Sequence, residues 1–464
     1  MKTWSPSLWA LWTEGVWRGT PPQSITGISL DSRRIREGEG FVALRTDTRD
    51  GHDFLQEVRD KGASFALVES GRSIEGLPCL EVRNPRYALS ILGKEVRNAF
   101  SGVVIGVSGS CGKTSTKEIL AILLGERAYK TPGNLNNDLG LPLSLLPLNN
   151  EDHDYAVLEV GISRVGEMEP LTDILQPDYA LITCVAPSHL EGMGSLENVA
   201  EEKSILLRSL RDPSHAYFPA NCTHYQAYMD IAGWQIATTN ESIARGSRAT
   251  VRRYHREING KTTLLSLEPD TDTCYALASA GPGMASNAVL ALCLALDLGI
   301  SPSDLQQRLA LWKPSSMRAQ WKQRNGYPVL VDCYNSNPAS LREAGELFHQ
   351  WTQHYGNRLW VLGGMKELGS NTADWHKKVM DELPIQLGDT VLGVGEEAIF
   401  FQEAVEKRGG RVNWLFAKEA EEGVQWVEDF TGPILFKGSR GHALEKMLPT
   451  GLIDSEIKET EKLC

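Results

Sequence analysis

Residues 105–115 read IGVSGSCGKTS, and the residue types needed to hold a polyphosphate are all among them. Gly109 and Gly112 free the backbone to curl, so that the N–H groups of Ser110, Cys111 and Gly112 can converge on phosphate oxygens. Lys113 adds a full positive charge, and the hydroxyl of Thr114 or Ser115 can coordinate Mg²⁺. The strict phosphate-loop pattern G-x-x-x-x-G-K-[ST] would need glycine at Val107. Here the spacing is the shorter G-x-x-G-K-T. A glycine turn before a helix is the plainer alternative, and its place between an apolar strand and a helix favours the phosphate reading.

Other candidates recur at the ends of apolar runs. Glu159 closes YAVLE, and His189 follows YALITCV in the stretch VAPSHLEG. A carboxylate and an imidazole at strand ends beside a phosphate loop suit Mg²⁺ binding, although each type also occurs there as an ordinary surface or structural group. Lys203, in VAEEKS, reads either as a helix-surface lysine or as part of the site. Further on, Arg318 in KPSSMRAQ could reach a terminal phosphate from across a cleft. Asp332 ends the run PVLVD and precedes the amides Asn335 and Asn337; carboxylates in such places accept ribose hydroxyls. LGGMKELG and FKGSRGH are glycine-rich strand ends bearing Lys366, Lys437 and Arg440. Two such edges in an acidic chain read as a site for an anionic substrate.

These residues need elements to carry them. Apolar SGVVIGVS followed by KTSTKEILAILLGE, with Ile119, Leu120, Leu123 and Leu124 on one face, predicts strand, loop and helix. The 464 residues suggest roughly three domains. The boundaries expected are 1–99, with short strands such as GFVAL, SFALVES and PCLEV; 100–313, around the loop; and 314–464, where strands alternate with helical patterns. YALSILGKEVRNAF (87–100) and NAVLALCLALDLG (287–299) read as helices. A polar stretch with Arg252, Arg253, Arg256 and Lys261 reads as an excursion of antiparallel strands. Alternating strands and helices predict α/β architecture with mainly parallel sheets, which bind ligands beyond the strands' carboxyl ends. Trp4, Trp9, Trp12 and Trp17 are expected to pack a short helix onto the first domain, with a partner-binding patch as the other reading.

A net charge of −12 argues against nucleic-acid binding. No apolar run reaches the length of a membrane span, and the first residues do not resemble a signal peptide. Eight cysteines, scattered without a C-x-x-C pair, fit a reducing cytoplasm rather than a disulfide framework or a zinc ribbon.

The motifs in this order resemble the Mur ligases, ATP-dependent amide ligases of peptidoglycan precursor synthesis. SGSCGKTS is similar to the family's T-G-T-x-G-K-T loop. DSRRIREGEGFVAL, GNLNNDLGLPLSLL, LEVGISRVGEMEPL, DCYNSNPAS, LGGMKELG and LFKGSR carry the resemblance from about residue 27 to residue 446. They resemble most the members that add D-alanyl-D-alanine to UDP-MurNAc-tripeptide. The resemblance implies a small α/β UDP-sugar domain, a central ATPase and a Rossmann-like third domain. It implies ATP, bound by Gly109 to Ser115, with Asn287 on the adenine and Arg318 and Asp332 on phosphates and ribose. It implies Mg²⁺ on Thr114, Glu159, His189 and a carbamylated Lys203, with Lys113, Glu159, His189, Lys203 and Arg318 carrying the catalysis. Ser32 and Arg33 match the uridine stretch; Asn134, Asn137, Asn335, Asn337, Lys437 and Arg440 fall in substrate-binding motifs. The implied partners are small molecules, with a monomeric chain in the cytoplasm. Cys111 and Cys184 stand where asparagines are usual, Gly283 and Met284 replace a His-Asn pair, and Gly364 replaces an acid. Cys111 then reads either as a tolerated supplier of a backbone N–H or as an oxidisable thiol. A folylpolyglutamate-synthase-like ligase is the nearest alternative; a P-loop kinase or a non-catalytic nucleotide binder would not need the glycine-rich edge of the third region.

Overall fold

A computed structural model describes residues 4–259, 262–278 and 280–454; Lys261 lies outside them. The described chain forms three sheets.

The first sheet has five strands, in the order Val16–Arg18, Cys79–Val82, Phe65–Glu69, Gly40–Val42 and Ile28–Ser29, with only the first pair antiparallel. The helix Pro6–Thr13 rests on it through tryptophans. Trp9 and Trp17 meet Phe65 edge-on at 5.8 and 5.6 Å. Trp4 reaches further, donating from Nε1 to Leu146 O at 3.1 Å, so this segment also ties the first unit to the second. The helix Pro85–Ala99 makes the other junction. Asn84 caps it by accepting from Tyr87 N, Pro85 starts it, and Leu89, Leu92 and Val96 bury its apolar stripe. Its Arg97 donates to Asp178 at 2.9 Å.

The central sheet has nine strands, in the order Cys274–Ala278, Thr262–Leu267, Thr250–Asn259, Trp234–Thr238, Ala216–Pro219, Tyr179–Ile182, Val103–Ser108, Tyr155–Glu159 and Ala128–Lys130. Period-two alternation splits its core. Val104 and Leu158 face one side, toward helices Met168–Leu175 and Leu196–Arg208. Ile105, Val107 and Val157 face the other, toward helices Lys113–Leu124 and Pro282–Asp297. The first of these strands in sequence, Val103–Ser108, has neighbours on both sides, so its carboxyl end is a topological switch point. The polar stretch expected as an excursion is instead continuous with the sheet. Thr250–Asn259 runs parallel beside Trp234–Thr238 before the two antiparallel pairings follow. The Arg252 guanidinium covers Trp234 at 3.7 Å and pairs with Asp297 at 2.8 Å, which spares the arginine an unpaired half-buried charge.

The third sheet runs Asn413–Ala417, Thr390–Val394, Leu359–Gly363, Ile434–Lys437, Tyr327–Val331, Gln320–Arg324 and Ile453–Asp454. The first five are parallel. The chain steps outward from Tyr327–Val331, then returns to insert Ile434–Lys437 beside it. A second switch point therefore opens where Asp332 and Lys437 leave adjacent strands. Among the described residues, no helix is long and apolar enough to cross a membrane.

Candidate active site

The glycine loop joins the strand Val103–Ser108 to the helix Lys113–Leu124. Gly109 has φ +146°, and a Cβ there would lie 1.9 Å from Thr183 Oγ1. Gly112 has φ +80°, with Asn287 Nδ2 2.3 Å from where a Cβ would sit. Both positions exclude a side chain on conformation and on space. Lys113 Nζ donates back to Gly109 O at 2.7 Å, which lays its charge across the loop. Ser110 Oγ donates to Ala186 O at 2.8 Å and fastens the loop to the chain beyond the next strand.

Beside the loop, Glu159 is 2% exposed. Three groups compensate its burial: Thr114 Oγ1 donates to Oε2 at 3.0 Å, Asn136 Nδ2 donates to Oε1 at 2.7 Å, and Lys117 Nζ stands 3.9 Å from Oε2. Lys117, itself buried, donates to the carbonyls of Thr131 and Gly133. A hydroxyl and a buried carboxylate side by side at a helix N-terminus match what Mg²⁺ takes from a protein when phosphates and waters supply its other ligands.

His189 sits in the left-handed region at φ 52°. Its Nδ1 lies against the Glu367 carboxylate of the third domain without hydrogen-bond geometry. Burial depresses its pKa, which favours the neutral imidazole that a metal requires. Lys203 is 1% exposed and has no hydrogen-bond or ion-pair partner among the described residues. Burial, and then the charge of Lys113, push its pKa down to about 7. Among the described residues, no group of three or more His, Cys, Asp and Glu is gathered that could hold a metal by itself.

The remaining surprise in this wall is sulfur. Cys111 Sγ and Cys184 Sγ are 3.2 Å apart. Their mutual hydrogen bond pushes the Cys111 thiol up, while the same bond holds Cys184 at about 6.

The third domain supplies the facing wall. Asp332 Oδ2 pairs with Lys437 Nζ at 2.8 Å, and Asp332 Oδ1 accepts from Ala319 N at 3.1 Å. Lys437 also donates to Asn335 O at 2.8 Å. Arg318 spreads its guanidinium over the Tyr334 ring at 3.9 Å. Asn337 caps the helix Pro338–Thr352 and donates from Nδ2 to Ser110 O at 3.3 Å, so this domain touches the loop directly. Glu343 accepts from Met284 N at 2.8 Å, and burial raises its pKa to about 7.

Between the walls lies a cleft of about 1180 Å³. Ser110 to Ser115, Asn134, Asn137, Glu159, His189, Asn287, Arg318, Asp332, Asn335, Asn337 and Lys437 line it, and it extends to Arg86 and Ser90 of the junction helix. Six of the candidate site residues singled out in the sequence are not on its wall: Gly109, Lys203, Ser32, Arg33, Lys366 and Arg440. Lys366 lies instead at a smaller pocket with Glu367 and Glu397. Ser32 and Arg33 are in the first domain, where Arg33 grips Asp31 with two bonds of 2.8 Å. Arg440 pairs with Glu445 at 2.6 Å. Asn137 has a local duty, accepting from Gly140 N at 2.8 Å at the start of the helix Gly140–Leu145. Three contributors were missed. Asn136 lies in the same GNLNNDLG motif as two asparagines that were named. Lys117 follows Lys113 by one helical turn, a spacing that puts both on one face. Glu343 carries no local signal.

Comparison with known proteins shows which family the chain is similar to. The chain matches the Mur ligase middle domain over residues 107–295, the Mur ligase glutamate ligase domain over 317–440, and the Mur ligase family catalytic domain over 24–102. It is 32% identical to the UDP-N-acetylmuramoyl-tripeptide–D-alanyl-D-alanine ligase of Haemophilus influenzae, over 82% of this chain and 83% of that one. It is 30% identical to the Escherichia coli enzyme of the same name, over 92% and 93%. The crystal structure of MurF from Acinetobacter baumannii superposes with a TM-score of 0.80 at 27% identity, covering 96% of this chain and 98% of the other. MurF ligase from Thermotoga maritima in complex with ADP gives 0.71 at 25% identity, covering 91% and 96%.

Proposed function

The chain belongs to the Mur ligase family, and from that premise we propose that it joins D-alanyl-D-alanine to UDP-MurNAc-tripeptide at the expense of ATP. The observation that carries this reading is the single cleft in which the glycine loop and Glu159 face Asp332, Arg318 and Lys437 of another domain. A phosphoryl donor and an anionic acceptor can meet there.

A carboxylate is a poor acyl donor because its leaving group would be oxide. Transfer of the γ-phosphoryl group to the tripeptide's terminal carboxylate gives an acyl phosphate and ADP. The amine of D-alanyl-D-alanine then attacks the acyl carbon, phosphate leaves with the bonding pair, and the ammonium loses a proton as the amide forms. The loop amides and Lys113 hold the polyphosphate, and Arg318 approaches it from the third domain. Asp332 takes the ribose, and Asn287 the base. Mg²⁺, held by Thr114 and Glu159 with His189 and a carbamylated Lys203, would neutralise charge on the phosphates. Supporting the carbamate, a buried ammonium without a partner is costly, whereas its CO₂ adduct is an acidic ligand. Ser32 and Arg33 bind the uridine end. Asn134, Asn137, Asn335, Asn337 and Lys437 position the peptide substrates, and Arg440, off the cleft wall in this structure, would have to leave Glu445 to join them. The domains are 1–99, 100–313 and 314–464, and the chain works as a cytoplasmic monomer.

The test supplies ATP, Mg²⁺, UDP-MurNAc-tripeptide and D-alanyl-D-alanine and follows phosphate release and product mass. Release no higher than in the control without amine rejects the ligase reading. Turnover with a free amino acid in place of the dipeptide assigns a sibling reaction. Lys203→Ala is expected to abolish turnover, with partial recovery in short carboxylic acids; full activity of the variant rejects the carbamate.

A further inference from the structure

We propose that Cys111 and Cys184 form a reversible redox-modification site inside the nucleotide loop, where a peroxide-class oxidant links the two thiols in a disulfide that closes the loop to ATP. The closure rests on the reading of this loop as a nucleotide site; the linkage itself does not.

Four observations carry it. The two sulfurs already touch, at 3.2 Å. A disulfide needs about 2.05 Å, so a relative shift of about 1.1 Å completes it. Both residues line the cleft and neither is fully buried, so a small oxidant reaches them. Cys222, another thiol near Cys184, is by contrast 1% exposed. Finally, glycines flank the loop segment that carries Cys111, and a hydrogen bond already ties that segment to Cys184. Cys111 lies between Gly109 and Gly112, whose backbones are the most permissive in the loop. Cys184 follows the strand Tyr179–Ile182, and its carbonyl accepts from Ser110 N at 3.0 Å.

The chemistry balances with hydrogen peroxide. One thiolate attacks a peroxide oxygen, the O–O bond breaks, and the products are a sulfenic acid and, after protonation, water. The second thiol attacks the sulfenic sulfur, its proton leaves with the hydroxyl as water, and the S–S bond forms. Two thiols and one peroxide become one disulfide and two waters. A dithiol reverses the change by exchange. Within the loop, the shift draws Cys111 toward the strand end. Its N–H is one of the donors that must point at phosphate, and Thr183 Oγ1 already holds its carbonyl. Bound ATP, needing that donor in place, must in turn resist the linkage.

The experiment treats the full chain with a graded series of hydrogen peroxide. It reads the intact mass, maps the linked peptide, and measures ATP affinity before oxidation, after it, and after dithiothreitol. The expected result is a loss of about 2 Da, a peptide joining residues 111 and 184, an ATP Kd raised by about tenfold or more, and full recovery on reduction. ATP present during oxidation slows the linkage. Cys184→Ser and Cys111→Ser, each compared with its own reduced form, lose both the mass change and the affinity change. Sulfinic acids instead of the linked peptide overturn the proposal, as does a linked protein whose ATP affinity is unchanged. A reduced protein that binds no ATP overturns the nucleotide reading and with it the closure, while the linked peptide reports on the thiol pair independently.

Discussion

Two carboxylates that line one cleft have different neighbours. Glu159 has a hydroxyl, an amide and an ammonium around it. Glu343 has one backbone N–H, from Met284, and burial lifts its pKa to about 7 from an ordinary 4.5. The folded state therefore holds the Glu343 proton more tightly than the unfolded chain does. Its stabilising contribution is complete below pH 4.5 and is lost as pH rises toward 7. Glu343→Gln is expected to flatten that decline, by at most about 1.4 kcal/mol per pH unit, in denaturant titrations from pH 4.5 to 8. Parallel profiles for the variant and the original protein would refute the assignment. Neither set of neighbours was legible in the sequence. Glu159 was marked by its strand-end position, but Glu343 lies within a helix, and its neighbour Met284 is distant in the chain.

The strand, loop and helix around Gly109 were legible because their information is local: an apolar run, two glycines and a helical period within a few turns. The helix expected over 87–100 is found at Pro85–Ala99, with its cap and proline immediately upstream. The sheet order was not legible: the polar stretch after residue 250, read as an excursion of antiparallel strands, does pair antiparallel, but its first strand also joins the central sheet in parallel. Within the loop, Gly109→Ala would push a methyl group to 1.9 Å from Thr183 Oγ1 at a φ of +146°. The strain is about 1 to 3 kcal/mol. It should appear as a weaker ATP Kd by calorimetry, by about tenfold or more. Adding Thr183→Ala relieves the contact but not the backbone, so only partial recovery is expected. Unchanged binding in the single variant would mean that the loop adopts another conformation around the nucleotide.

Three sheets work together only if the third domain sits against the central one. The contacts that hold it include Asn337 on Ser110, Met284 on Glu343, and the Glu367 carbonyl and carboxylate on Glu191 N and His189. A wide cleft between domains suits a closure that opens for three substrates. Glu367→Ala should loosen it, raising the radius of gyration in small-angle scattering, with a non-hydrolysable ATP analogue and UDP-MurNAc-tripeptide drawing it back. No change in the variant would remove Glu367 from the closure. The sequence by itself determined the loop, its lysine and hydroxyl, the strand-end acid and histidine, and the α/β alternation, because each depends on residues adjacent in the chain. Tertiary structure alone decided which asparagine of GNLNND faces Glu159, that Lys203 lies buried without a partner, and that Arg440 pairs with Glu445. It alone brought Cys111 against Cys184 across 73 positions. Those outcomes depend on how strands far apart in the chain stack side by side, and no short stretch of residues encodes that.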